Sequence, residues 1–282
     1  MYDGKDELLV MHEDLKKALK KTKPAWAMLI DTRRCILCHA CTLGCMVEYK
    51  SPPRILYRPM YESETGRYPD VQRQFIARPC QQCDNPPCVA ACPKSGKATW
   101  KSTDGVTNNI ILINYEECIG CGRCVAACPY SARNMDRGDF YTEQTPSIPE
   151  MERGPAWEYD KKWYREGKNL PAGKARKCQF CNLRLKNSML PVCVTTCIGR
   201  ATYFGDLDDS DSLISKTMKS GKVVELKEVK EAGKIADRIV SKAFKLKSDE
   251  WSSLIQDAVK AYPGKSPVFG KSNTKPRVFY IV

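Results

Sequence analysis

Sixteen cysteines fall into four groups of four with none left over: Cys35, Cys38, Cys41, Cys45; Cys80, Cys83, Cys88, Cys92; Cys118, Cys121, Cys124, Cys128; and Cys178, Cys181, Cys193, Cys197. The third group reads Cys-x2-Cys-x2-Cys-x3-Cys with Pro129 after it, the ligand spacing of a cubane 4Fe-4S cluster. Such short spacings let one tight loop offer three thiolates to three irons of one cube. The fourth thiolate, at the start of the helix that follows, points away and ligates a different cluster. A run of this kind therefore implies a partner run, and this chain supplies three.

The first group repeats that spacing but has Met46 in place of the proline. The second widens its middle gap to four residues, including Pro86 and Pro87, and the fourth widens it to eleven and ends on Ile198; all keep the terminal x3. Cross-ligation between paired runs predicts four ligand sets: Cys35, Cys38, Cys41 with Cys197; Cys178, Cys181, Cys193 with Cys45; Cys80, Cys83, Cys88 with Cys128; and Cys118, Cys121, Cys124 with Cys92. Four 4Fe-4S clusters are expected, since every ligand slot holds Cys. Zinc is the main alternative, because four-cysteine zinc sites also use Cys-x2-Cys pairs, but zinc needs two separated pairs rather than a run of three with a fourth Cys close behind. A disulfide scaffold fits worse, since such scaffolds are typically short secreted chains.

The elements that must hold these groups form a repeating unit of strand, Cys loop and short helix. Trp26-Ala27-Met28-Leu29-Ile30-Asp31 reads as a strand feeding group one, Asn109–Asn114 as one feeding group three, and Arg73–Arg78 more weakly as one feeding group two. Cys88-Val89-Ala90-Ala91-Cys92-Pro93 and Cys124-Val125-Ala126-Ala127-Cys128-Pro129 are the same six residues, and Cys193-Val194-Thr195-Thr196-Cys197 echoes them. Duplication of a ferredoxin-like half is the simplest account. The expected fold is α+β: two ferredoxin-like double-cluster modules, one inserted in the other, with a helical C-terminal extension.

In domain terms, residues 1–25 form an N-terminal amphipathic helix, with Leu8, Met11, Leu15, Ala18 and Leu19 at helical spacing. Residues 26–72 and 173–204 form a split first module, and 73–136 an inserted second one. A long loop at 137–172, with Trp157, Tyr159, Trp163 and Tyr164, suits a docking arm against a partner. The extension at 205–282 shows helical spacing through Ala232–Ala243 and Trp251–Val259 and a closing strand at Val278–Val282. His39, inside group one, is placed to tune a cluster or relay a proton, or else is a polar loop residue. Arg34, Arg123, Arg133, Arg176 and Lys177 lie near the runs, where a positive charge raises cluster potential unless it is spent on solvent.

Length, at 282 residues, and a mean hydropathy of -0.47 fit a polar globular chain. The formal charge of +13 would ordinarily suggest an acidic partner. An oxidised cubane with four thiolates carries about -2 by formal counting, so four offset about -8 of it. No nucleic-acid module accompanies the excess, and no nucleic-acid partner is expected. No stretch reaches the roughly 18 apolar residues of a spanning helix, and no export signal is visible in the first 25 residues. Nucleophile-base pairs, Walker loops and Gly-rich dinucleotide turns are also lacking, so the chain is read as a non-catalytic carrier.

With its four groups in this order, the chain resembles the four-cluster iron-sulfur electron-transfer (beta) subunit of the molybdopterin oxidoreductases related to dimethyl sulfoxide, polysulfide, thiosulfate, tetrathionate and arsenate reductases. The resemblance runs from about Trp26 to Phe204 and on through Gly205-Asp206-Leu207-Asp208-Asp209-Ser210. It implies a relay in anaerobic respiration between a large molybdopterin (Mo or W) catalytic subunit and an integral membrane quinone-reactive subunit or another carrier. The Cys35, Cys38, Cys41, Cys197 cluster would face the catalytic subunit and the Cys92, Cys118, Cys121, Cys124 cluster the far end. It also implies a periplasmic or outer-face location reached by co-export with a signal-bearing partner; a cytoplasmic complex, or a free-standing polyferredoxin, is the alternative. Anaerobic purification is expected to give a brown protein with bound iron and acid-labile sulfide; a colourless, zinc-containing preparation would select the zinc reading instead.

Overall fold

A computed structural model describes residues 4–103, 105–142, 152, 154–229 and 267–282. Helix α1 (Glu7–Ala18) precedes strand β1 (Trp26–Asp31), and group one leads into α2 (Ala40–Glu48) and the hairpin of β2 (Met60–Arg67) and β3 (Asp70–Ala77). Group two carries α3 (Pro87–Ala90), followed by β4 (Thr99–Lys101) and β5 (Ile111–Ile113); group three carries α4 (Arg123–Ala126), followed by β6 (Arg133–Met135). A second hairpin, β7 (Ala156–Glu158) with β8 (Lys161–Trp163), leads to β9 (Ala175–Lys177), and group four holds α5 (Asn182–Lys186) and α6 (Val192–Thr195). The sequence continues through β10 (Thr202–Asp206), α7 (Leu213–Met218), β11 (Val223–Val229), β12 (Pro267–Phe269) and β13 (Val278–Ile281).

Four antiparallel strand pairs join the Cys groups in a closed cycle. The strand leaving group one, β2, pairs with the strand feeding group two, β3. Likewise β4 leaves group two and pairs with β5 feeding group three, and β6 leaves group three and pairs with β9 feeding group four. The cycle closes when β10, leaving group four, pairs with β1, Ile30 opposite Thr202 and Trp26 opposite Asp206. Backbone pairing thus makes neighbours of groups one and four, which stand at opposite ends of the sequence.

β1 can sit at the centre because its apolar run is buried along its whole length, as suits a strand covered on both faces. It lies between β10 and β13 in a five-stranded sheet of order β10-β1-β13-β11-β12. α1 and α7 pack on β10. α1 presents Met11, Leu15 and Ala18 inward, and the Asp6 carboxylate caps its start by accepting from the Leu8 N–H at 2.7 Å. α2 and α6 approach so closely at Gly44 that an added Cβ would meet Thr196 at 3.0 Å.

Two features depart from the sequence expectation. The closing strand is present as β13, but it is inserted parallel to β1 and antiparallel to β11, so the described part of the C-terminal segment, besides the short helix α7, adds strands to the main sheet. The helical spacing at 232–243 and 251–259 lies outside the described residues. In the 137–172 segment the aromatics divide: Trp163 and Tyr159 pack edge-on against Tyr115 at 5.2 and 5.3 Å, whereas Trp157 and Tyr164 are exposed.

Arg176, on β9, anchors a buried polar network. Its guanidinium donates to Asp136 at 3.0 Å, to Tyr57 at 2.8 Å and to Glu158. Arg165 grips Asp136 with two further bonds of 3.0 and 2.7 Å. Burial alone would raise the Asp136 carboxyl, but the Arg165 hydrogen bond and the Arg176 charge hold it below the usual carboxylate range. The stabilisation from Asp136 is therefore present above the unfolded carboxylate pKa of about 3.9 and is lost as pH falls through the lower folded value. Arg176→Met leaves the buried Glu158 carboxylate without its cation and Asp136 with Arg165 alone, and is expected to cost about 3–5 kcal/mol in denaturant unfolding at neutral pH.

Candidate metal centre

All four Cys loops turn the same way. The residue two positions after each first cysteine has a positive φ: Leu37 at 56°, Gln82 at 47°, Gly120 at 71° and Phe180 at 50°. A left-handed residue beside right-handed ones turns successive backbone N–H groups toward one side, a concavity suited to an anion; in group four the following residue, Cys181, is left-handed as well. Only one of the four is glycine, so at the other three the loop holds a side chain in a conformation costing roughly 1–2 kcal/mol. Behind the last cysteine of groups three and four, the N–H of Ala132 points to Cys128 Sγ at 3.4 Å and that of Ala201 to Cys197 Sγ at 3.2 Å.

The structure gathers the thiols from different loops. Cys35, Cys38, Cys41 and Cys197 line one hollow, and Cys92, Cys118, Cys121 and Cys124 line another. The Cys45 thiol is pushed well up by burial and then by Cys181, Cys178 and Cys193. Burial, Cys80, Cys88 and Cys128 together push Cys83 up to about 12. The structure thus brings thiols from different Cys loops together in four neighbourhoods. They also follow one another: Cys193 feels Cys41, Cys178 feels Cys80, and Cys124 feels Cys88. The two end sets each reach solvent, at Cys38 and at Cys121, while the two middle sets are buried apart from half-buried Cys128.

This donor set fits 4Fe-4S groups. All sixteen thiols are free. Among the described residues no three His, Cys, Asp or Glu side chains converge on a point that one metal ion could occupy, and the thiols stand around hollows instead. Zinc, with Zn–S bonds of about 2.3 Å, would draw four sulfurs onto such a point. Residues 27–93 and 161–207 each match a family described as a 4Fe-4S dicluster domain, and residues 111–134 match a 4Fe-4S binding domain.

A selenate reductase subunit of Mesobacillus selenatarsenatis is 47% identical over 226 residues, covering 79% of this chain and 75% of its own. The arsenate respiratory reductase iron-sulfur subunit ArrB of a Shewanella species is 33% identical over 215 residues, covering 71% and 89%. A polysulfide reductase polypeptide of Wolinella succinogenes is 31% identical over 207 residues, covering 72% and 87%. This chain therefore belongs to the iron-sulfur subunits of such reductases. Like its family, this iron-sulfur subunit transfers electrons, and its cofactors are 4Fe-4S clusters.

The charged residues singled out in the sequence of this iron-sulfur subunit meet different fates. Arg123 is exposed, and Arg34 is spent on Glu7 at 2.9 Å and the Gly199 carbonyl at 3.1 Å. Arg176 belongs to the carboxylate network, whereas Arg133 and Lys177 are buried and face thiols. His39 is exposed on the rim of the first hollow at a φ of 59°. Sequence reading missed Arg58, which is fully buried and donates toward Cys193 Sγ at 3.5 Å and Thr202 at 2.7 Å. It lies thirteen residues beyond Cys45, outside any Cys loop, so only the fold reveals it.

Gly120 offers a direct test of the loop geometry in this iron-sulfur subunit. Its φ is 71°, and an added Cβ would lie 2.3 Å from the Gly173 carbonyl oxygen. Gly120→Ala is expected to dislodge the Cys118–Cys121 loop and lower bound iron by about a quarter, one cluster of four, in a colorimetric iron assay.

Proposed function

We propose that the chain carries electrons between a molybdopterin (Mo or W) catalytic subunit and a membrane quinone-reactive subunit or another carrier. The observation that carries this reading is the burial gradient along the four thiol sets, closed in the middle and open at both ends. A path of this kind needs water kept from its interior and a surface for a partner at each end. The ligand sets are Cys35, Cys38, Cys41, Cys197; Cys45, Cys178, Cys181, Cys193; Cys80, Cys83, Cys88, Cys128; and Cys92, Cys118, Cys121, Cys124. Bound there, 4Fe-4S groups supply reversible one-electron acceptance at potentials set by their surroundings.

The β1–β10 and β4–β5 pairings support a nested arrangement, with residues 26–72 and 173–204 enclosing a module at 73–136. Around the first set, Ile36, Leu43, Val47 and Ile198 are all more than half exposed, as is Ile119 in the loop of the fourth. Apolar side chains ringing a thiol set suit protein contact rather than solvent. The first set is assigned to the catalytic subunit and the fourth to the far end. Trp157 and Tyr164 extend the docking surface. The relatives' names support a catalytic partner that reduces an oxyanion or a sulfur compound.

No helix among the described residues is long and apolar enough to cross a membrane. Co-export to the outer face of the membrane with the catalytic partner completes the proposal, and cell fractionation finding the chain only in the cytoplasm would remove that part. Affinity purification under anaerobic conditions is expected to bring down a large molybdopterin protein, whereas a stable solitary monomer would favour a free-standing polyferredoxin. Cys197→Ser is expected to perturb the cluster of Cys35, and Cys45→Ser that of Cys178, each as the change of one EPR signal.

A further inference from the structure

Six Arg and Lys side chains are buried among the described residues: Arg58, Arg78, Arg133, Arg165, Arg176 and Lys177. Arg165 and Arg176 are neutralised by Asp136 and Glu158. Arg78 donates to the Tyr61 hydroxyl at 2.9 Å and lies over its ring, which satisfies part of its guanidinium; it has no carboxylate within ion-pair reach among the described residues, and its Nε and Nη1 are buried with no hydrogen-bond partner there. Arg58, Arg133 and Lys177 likewise have no carboxylate within ion-pair reach among the described residues, and these three lie among the thiols. The Nε of Arg58 and the Nε of Arg133 are buried with no hydrogen-bond partner there at all. A buried cation left in that state is costly unless an opposing charge is supplied.

What these three cations face is thiol, and each faces two sets. Arg58 lies against Cys193 of the second set and Cys41 of the first, and it lines the first hollow. Lys177 donates to the Cys178 carbonyl at 2.8 Å beside the second set and looks across to Cys80 and Cys88 of the third. Arg133 meets Cys80 and Cys88 of the third set and Cys124 of the fourth. Arg133 and Lys177 are opposed across the β6–β9 pair, so one short ribbon sets both charges at successive intervals. Thr99 holds Arg133 at 2.9 Å and Thr202 holds Arg58 at 2.7 Å, neutral partners that fix each guanidinium without cancelling it.

We infer that Arg58, Lys177 and Arg133 are interval charges: one fixed cation between each two successive clusters, raising the reduction potentials of both neighbours at once. Each one-electron reduction adds a negative charge to an already anionic site and disfavours reduction of the next. A cation standing between the two attracts both and offsets that repulsion. Three such cations place one in each of the three intervals. The inference rests on the ligand sets proposed above, and the test separates the two.

EPR-monitored redox titration of the 282-residue chain, purified anaerobically with iron and sulfide counted, reads it directly. Lys177→Gln is expected to lower the second and third clusters by a tenfold or larger change in reduction equilibrium, about 59 mV or more for a one-electron couple, and to leave the first and fourth unmoved. Arg58→Gln should move the first and second, and Arg133→Gln the third and fourth, while Lys177→Arg restores the native values. Full cluster content with unchanged potentials, a shift confined to one cluster, or a uniform shift of all four would overturn the inference. If all three Gln variants and the charge-retaining Lys177→Arg and Arg58→Lys lose iron alike, the side chains are merely structural and the inference falls. A native chain with fewer than four clusters would instead overturn the ligand sets, and the iron count distinguishes that outcome.

Discussion

Negative charge kept out of water is the constraint to which this fold answers. Thiolates bound to iron are anionic, and eight of the sixteen cysteines form two sets almost wholly removed from solvent. Without their metal these thiols resist ionising: burial, then the neighbouring thiols, push Cys178 up to about 12 and Cys181 higher still. The protein meets the cost with left-handed loop residues that turn N–H groups inward, with N–H groups aimed at Cys128 and Cys197, and with buried cations that lack carboxylates. The net charge of +13 is thus placed partly inside the molecule, where composition alone cannot locate it.

The cycle of strand pairs is what makes such hosting possible with short segments. Apart from the eight-residue β2–β3 hairpin, each pair is only three to five residues long, and isolated two-stranded ribbons are marginal in water. Here the two Cys groups that a ribbon joins lie at the same end of it, with Met60 opposite Ala77, Thr99 opposite Ile113, Arg133 opposite Lys177 and Thr202 opposite Ile30, so metal ligation and backbone pairing close the same loops. The Arg176 network ties β9 to the segment after β6, to β7 and to Tyr57, which gives the middle of the cycle a polar centre separate from the thiols. Two charge systems therefore coexist in the interior, one balanced by carboxylates and one by thiolates, and they share no cation.

Much of the site was legible in the sequence because cysteine spacing is chemically narrow. Three thiols on a tight loop and a fourth one helical turn later have few other uses, and the fold brings thiols of different loops near one another. β1 was legible because its run of apolar residues is buried on both faces, and α1 because its stripe of Met11, Leu15 and Ala18 is amphipathic. β11 was not: Val223-Val224-Glu225-Leu226-Lys227-Glu228-Val229 neither alternates cleanly nor runs apolar, and its partner β13 stands some fifty residues on. Arg58 was hidden for a similar reason, since its role depends on Thr202 and Cys193, far along the sequence. Asp136, Glu158 and Arg176 look like ordinary surface charges until the fold withdraws them from water.

The placement of β1 bears on how the molecule is made. Both strands flanking it come from beyond residue 200, β10 on one edge and β13 on the other. At about 5–20 residues per second of translation, the nascent β1 waits on the order of ten seconds or more for a partner. The β2–β3 and β4–β5 ribbons, by contrast, can form while the ribosome is still at work. Translation thus makes the β2–β3 and β4–β5 ribbons available early and leaves a sticky apolar strand to be shielded until residues beyond 200 emerge.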